Sequence, residues 1–185
     1  MLGVLEARAM TGYELTQFFE SSARWVWSAP QSQIYPALKR METDGLIAGE
    51  EQVRGERLKR REYSITELGQ AELREWLAQP QTDQSLRDPF LLQALFLDML
   101  DPDDAEQVLV QEATQLRRKA DQWARHRDKL LAGDTPLLRE RLKHLPPSGH
   151  ARTSRLKAGV FSHLTQSAEA RLAWIEQTIA ELRAP

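Results

Sequence analysis

Nine polar side chains in the first third of the chain have types and spacing that could do chemistry. Ser32, Gln33, Tyr35, Lys39 and Arg40 come first, followed by Arg54, Arg57, Lys59 and Arg60. A glutamine amide can pair with a base edge, and hydroxyls and cations reach bases or phosphate oxygens. The set suits recognition of a polyanion. Bond making has no comparable set. Cysteine is absent, which removes thiolate nucleophiles, disulfides and thiolate-ligated metal and suits an intracellular setting. His126, His144, His150 and His163 form no pair at a spacing of three or four, so a helical metal site lacks its ligands. Ser148 near His150 lies in a Pro-Gly break without a third orienting group. Gly45, Gly49 and Gly55 are spaced for turns, not for a phosphate loop. Glu50-Glu51 and Asp103-Asp104 are solvated or helix-start charges. The reading is a protein without catalytic residues, metal or cofactor.

The elements that must position the polar set follow from periodicity. Ile34, Leu38 and Met41 recur at helical spacing, predicting a helix over 30–44 that buries them and turns Ser32, Pro36, Lys39 and Thr43 outward. Ser28 with Gln31 forms a capping-box pattern ahead of Pro30, and Gly45 ends the helix. Pro36 removes a backbone donor inside it and predicts a slight kink. Two strands, 46–51 and 59–65, then flank a tip with Gly55, and Tyr63 and Ile65 give the second an apolar face. With a helix opening at Thr66, in which Leu68, Leu73, Trp76 and Leu77 point to the core, this is a winged helix-turn-helix. Its exposed helix fits a major groove of about 12 Å.

A net charge of −2 argues against a nucleic-acid partner until the charges are placed. Arg54, Arg57, Lys59, Arg60 and Arg61 stand in one run against Glu56 alone, and phosphate binding depends on local potential. The plain alternative is a solvated hairpin edge kept soluble by charge. With 41% hydrophobic residues in 185, the chain can build one or two ordinary cores. No apolar run approaches the ~20 residues that span a bilayer, and no signal peptide opens the chain. The setting expected is the cytoplasm, with no membrane.

Three blocks carry a family resemblance: GYEL from Gly12, QIYPALKRMETDGL from Gln33 and REYSITELGQAEL from Arg61. They resemble the PadR family of bacterial transcriptional regulators, and LRDPFLLQALFLDML from Leu86 is similar to the start of its helical C-terminal region. The resemblance is strong over residues 1–100 and looser over 156–182. It implies DNA binding, dimerisation through C-terminal helices, and in some members a response to small, often phenolic or drug-like molecules. It also implies several more residues ahead of Met1, where Leu2, Val4 and Leu5 give a short first helix.

The rest of the chain reads as helix. A second helix opens at Thr11 with Leu15, Phe18 and Phe19 buried, and a loop with Trp25 and Trp27 follows. Gln79-Pro80-Gln81-Thr82 marks a domain boundary. Residues 89–100 are almost wholly apolar and must be buried between domains or subunits. After Asp101-Pro102-Asp103 a long helix shows a seam of Leu109, Ala113, Leu116, Ala120, Trp123 and Leu130. Pro146-Pro147-Ser148-Gly149 is the clearest break, and a last helix over 153–183 carries Phe161, Leu164, Ala168, Leu172, Ile175, Ile179 and Leu182. Two such helices leave apolar surface over, for which a twofold dimer is economical.

The expectation is therefore a mainly α fold with one β-hairpin: a winged helix-turn-helix over 1–79 and a helical, coiled-coil-like dimerisation domain over 86–185. The expected function is a homodimeric repressor on a double-stranded, inverted-repeat operator, contacting DNA through the nine residues above. Phe90, Phe96, Trp123 and Trp174 are the candidates for a small aromatic effector, with plain core as their alternative. The alternative function is a winged-helix protein-interaction module that does not bind DNA.

Overall fold

The structure, a computed structural model, describes residues 1–21, 31–54, 58–80 and 88–184. The chain forms two compact units: Met1–Thr82 with Arg139–His144, and Asp83–Leu138 with Leu145–Pro185. It is mostly helical with one small antiparallel sheet.

In the first unit, α1 (Leu2–Leu5), β1 (Met10–Thr11), α2 (Gly12–Ser21), α3 (Gln31–Thr43), β2 (Ile47–Arg54), β3 (Leu58–Ile65) and α4 (Glu67–Ala78) follow in order. Leu5, Leu15, Phe19, Ile34, Leu38 and Ile47 are buried. Each such apolar side chain contributes about 1.5–3 kcal/mol by leaving water. The hairpin is longer than the sequence suggests, pairing Ile47 with Ile65 and, at its far end, Arg54 with Leu58. It also gains a third strand. β1 pairs Met10 with Tyr63 and Thr11 with Glu62, so β3 becomes central in the order β1-β3-β2. Two residues show no alternation, which is why Thr11 reads as a helix start.

A hydrogen-bonded node closes the hairpin base. Gly45 takes φ +72° after α3, Thr66 N–H donates to Leu46 O at 3.1 Å, and Thr66 Oγ1 donates to Gly45 O at 2.7 Å. Thr66 also caps α4, accepting from Gly69 N at 3.0 Å. α4 corrects the reading of its apolar residues: Gly69 is buried and Leu73 half-buried, while Leu68, Trp76 and Leu77 are exposed. The helix approaches the hairpin so closely through Gly69 that these three turn outward.

The second unit holds α5 (Pro89–Ala94), a 3-10 turn at Leu97–Met99, α6 (Pro102–Leu131) and α8 (Pro147–Leu182); α7 (Pro136–Lys143) lies between, its residues from Arg139 counting with the first unit. α6 and α8 pack antiparallel. Leu97, Ala105, Leu109, Ala113 and Ile175 form one cluster, and Leu116, Ala120 and Ala168 a second. Arg117 reaches Glu176 at 2.9 Å across the pair. The break expected at Pro146-Pro147-Ser148-Gly149 ends sooner: α7 stops at Lys143, Pro146 is extended, and Pro147 opens the first turn of α8, so Ser148 and Gly149 lie in the helix. Residues 89–100, expected to be buried between domains or subunits, are covered only in part within their unit. Leu97 is buried in the core, and Phe90 and Ala94 pack half-buried against the same cluster; Leu92, Leu95, Phe96 and Met99 are exposed, Leu95 to 74% and Met99 to 79%.

Candidate nucleic-acid interface

α3 separates its two faces cleanly. Ile34 and Leu38 are buried and Met41 half-buried, while Ser32, Gln33, Tyr35, Pro36, Lys39 and Arg40 stand in solvent. The backbone stays helical through Pro36. The helix-start pattern at Ser28 and Pro30 and the loop tryptophans Trp25 and Trp27 lie outside the described residues.

Two glycines set what flanks the helix. A Cβ on Gly12 would lie 2.7 Å from Tyr35 Cε1, so only glycine at the start of α2 lets the Tyr35 ring rest there. A Cβ on Gly49 would lie 2.5 Å from both Arg61 Nε and Glu42 Oε1, so Gly49 makes room for an ion pair. Arg61 Nη2 donates to Glu42 Oε1 at 2.6 Å, tying the central strand to the end of α3. That hydrogen bond raises the Arg61 pKa. Arg61 is thus engaged inside the unit, and the basic run has one cation fewer to offer a phosphate.

The remaining wing residues are placed unevenly. Arg54 ends β2 opposite Leu58, Lys59 sits opposite Val53 and Arg60 opposite Gln52. Arg57 lies outside the described residues. Arg60 is exposed and has no ion-pair partner among the described residues. Residue reasoning missed Tyr13, which is 65% exposed beside Tyr35 and Arg60 in one cleft. A signal was available. Thr11-x-x-Glu14 is a capping box, with Thr11 N–H donating to Glu14 Oε2 at 2.8 Å and Glu14 N–H to Thr11 Oγ1 at 3.2 Å. It starts α2 so that Tyr13 projects. Burial alone raises the Glu14 carboxyl, but the Thr11 and Arg8 hydrogen bonds outweigh it and lower its pKa.

The four aromatic candidates fall apart into separate settings within the second unit. Phe90 and Trp174 meet edge-on at 6.1 Å and 77°, with the Arg171 guanidinium 4.8 Å over the Phe90 ring. Trp123 packs on the neighbouring cluster of Leu116, Ala120 and Ala168. Its Nε1 is buried without a hydrogen-bond partner among the described residues. Phe96 is exposed. Among the described residues no group of three or more His, Asp or Glu could hold a metal ion.

Residues 1–75 match the Transcriptional regulator PadR-like family, and residues 86–183 match the family described as Virulence activator alpha C-term. The negative transcriptional regulator PadR of Bacillus subtilis is 30% identical over 138 residues, covering 74% of this chain and 76% of that protein. The structure of Bacillus subtilis PadR in complex with operator DNA superposes with a TM-score of 0.76 at 26% identity, covering 98% of this chain and 96% of that one. The same protein in complex with p-coumaric acid gives a TM-score of 0.73 at 24% identity, covering 100% and 93%. A winged unit with an exposed polar helix, followed by a long antiparallel helix pair, thus has its relatives among regulators and not among enzymes: the chain belongs to the PadR-like family of transcriptional regulators.

Proposed function

We infer that this regulator is a homodimeric repressor that binds an inverted-repeat operator in double-stranded DNA. The observation that carries the reading is the exposed face of α3, where Ser32, Gln33, Tyr35, Lys39 and Arg40 stand over a buried Ile34 and Leu38. Residues 1–79 serve as the DNA-binding domain, with α3 in a major groove and Arg54, Arg57, Lys59 and Arg60 along the adjoining backbone or minor groove. Residues 86–185 serve as the dimerisation domain; the exposed Leu92, Leu95, Phe96 and Met99 supply apolar surface for a second copy. The operator-bound relative supports the partner, being similar over nearly the whole chain. Among the described residues no helix is long and apolar enough to cross a membrane, in keeping with a cytoplasmic protein.

A small aromatic effector relieves repression in this reading. The Phe90–Trp174 pair offers ring edges worth about 0.5–1.5 kcal/mol to a flat ligand, and a relative has been solved with p-coumaric acid. Phe96 and Trp123 complete the proposed set. The winged interaction module remains the rival, because it too explains an exposed helix.

Selection of bound fragments from the source genome, with affinity measured across salt and mass by light scattering, tests the operator and the dimer. A recovered inverted repeat bound by a dimer with a steep salt slope is expected. No salt-dependent affinity for any duplex supports the rival and removes the repressor.

A further inference from the structure

We propose that a cleft beside α3 seats one backbone phosphate of each operator half-site, held by Arg60 and the hydroxyls of Tyr13 and Tyr35. The inference rests on the DNA-binding reading above and adds a contact at a defined place. The cleft has a volume of about 520 Å³ and lies wholly within the winged unit, with Tyr13, Glu14, Tyr35, Arg60, Arg61 and Tyr63 on its walls.

What each wall can offer decides the ligand. Arg61 is engaged with Glu42 at 2.6 Å, and Tyr63 is half-buried on the central strand, two residues on from Arg61. Glu14 is turned to the Thr11 N–H and hydroxyl, at 2.8 and 2.9 Å, and to Arg8 at 3.1 Å, which neutralises the one carboxylate in the wall. The start of α2 is therefore closed by its own capping box and is not the binding group. Three donors remain. Arg60 has no ion-pair partner, and the Tyr13 and Tyr35 hydroxyls have no hydrogen-bond partner, among the described residues. One guanidinium and two phenol O–H groups, with no competing free anion, match an oxyanion such as a phosphodiester.

Position selects DNA backbone over a free anion. Tyr35 belongs both to the exposed face of α3 and to the cleft wall, so the cleft is continuous with the recognition face. Gly12 fixes that wall, because its missing Cβ is what admits the Tyr35 ring. A helix lying in a major groove is flanked by phosphates, which set its register without reading sequence.

The test uses the full-length protein and a duplex recovered by wild-type selection, in which single methylphosphonates replace backbone phosphates one at a time. Tyr13→Phe, conservative at an exposed position, is expected to weaken binding about 2- to 10-fold, and Arg60→Ala to flatten the salt slope by about one unit. One methylphosphonate position per half-site should weaken wild-type binding yet cost these variants nothing further, while all other positions behave alike in both. If wild type binds but every position costs the variants as much as wild type, the phosphate seat is overturned and the DNA reading stands. If wild type binds no duplex, both fall. If 4-hydroxybenzoate shifts the tyrosine fluorescence of wild type but not of Tyr13→Phe, with the methylphosphonate pattern unchanged, the cleft takes a small aromatic anion and the proposal is overturned.

Discussion

Replacing Gly69 by alanine should destabilise the winged unit, against the usual rule for a glycine inside a helix. Alanine at a compatible helical position gains about 0.5–1 kcal/mol over glycine. Here the added Cβ would lie 2.0 Å from Leu46 O, 2.9 Å from Ile65 Cγ1 and 3.0 Å from Leu46 C. A close C···O contact is about 3.3 Å, so α4 and the Leu46 carbonyl must separate by more than an ångström. That carbonyl is backbone, and it accepts from Thr66 N–H at 3.1 Å. Thr66 in turn caps α4 through Gly69 N and holds Gly45 O. Overpacking of this kind costs about 1–3 kcal/mol, and loosening the Thr66 hydrogen bond adds about 1 kcal/mol. After the helix gain the net loss is about 2 kcal/mol. Gly159→Ala is the control, since an added Cβ in the interior of α8 meets nothing within 4 Å and should gain about 0.5–1 kcal/mol. Urea denaturation followed by far-ultraviolet circular dichroism measures both. A Gly69→Ala protein as stable as wild type would refute the close approach of α4 to the hairpin base.

Changing Arg57, Lys59 and Arg60 together to alanine should weaken binding to all duplexes about equally and flatten the salt slope by up to about three units; a triple variant with wild-type affinity and slope would take the wing off the DNA. Lys39→Ala or Gln33→Ala, on the exposed face of α3, should cost about 1–3 kcal/mol and relax one operator position per half-site if either reads a base. Selection with both variants checks this, and an unchanged binding motif moves base reading elsewhere. Asp88 should confer acid sensitivity on the helical unit: hydrogen bonds from Arg171, at 2.6 and 3.1 Å, hold its carboxyl below the usual aspartate range. A depressed carboxylate stabilises above the unfolded value near about 4 and loses that contribution as pH falls through the lowered one. Stability measured from pH 6 to 2 should therefore fall less steeply in Asp88→Asn, and equal slopes would sink the linkage.

What was legible in the sequence is what repeats. Ile34 and Leu38 are apolar one turn apart and buried, so the opposite face of α3, with all five of its candidate contacts, could be named from spacing alone. The α6 seam is legible for the same reason: Leu109, Ala113, Leu116 and Ala120 are all buried there. Approaches between distant elements were not legible. β1 is two residues long and exists because β3 offers Tyr63 and Glu62 as partners. The roles of Gly12, Gly49 and Gly69 depend on what approaches from another element, and a glycine in sequence does not say what that is. Arg60 and Arg61 are identical in sequence, yet strand alternation leaves one without an ion-pair partner among the described residues and commits the other to Glu42.

Apolar character in sequence says that a residue gains by leaving water and says nothing of where the covering atoms come from. Residues 89–100 make the distinction concrete. Their first turn is fixed firmly within the unit: Asp88 accepts from Phe90 N and Leu91 N at 3.0 and 3.1 Å, Arg171 grips the same carboxylate, and that guanidinium also covers the Phe90 ring and meets Glu112 at 3.4 Å. One end of the segment is therefore tied to α8 while Leu92, Leu95, Phe96 and Met99 still face water. The same segment already sets Leu97, with Phe90 and Ala94 beside it, against the α6–α8 seam. Asp88 and Arg171 fix its first turn there, so the apolar residues divide by register: one side meets the seam, and Leu92, Leu95, Phe96 and Met99 form the side that no described residue covers.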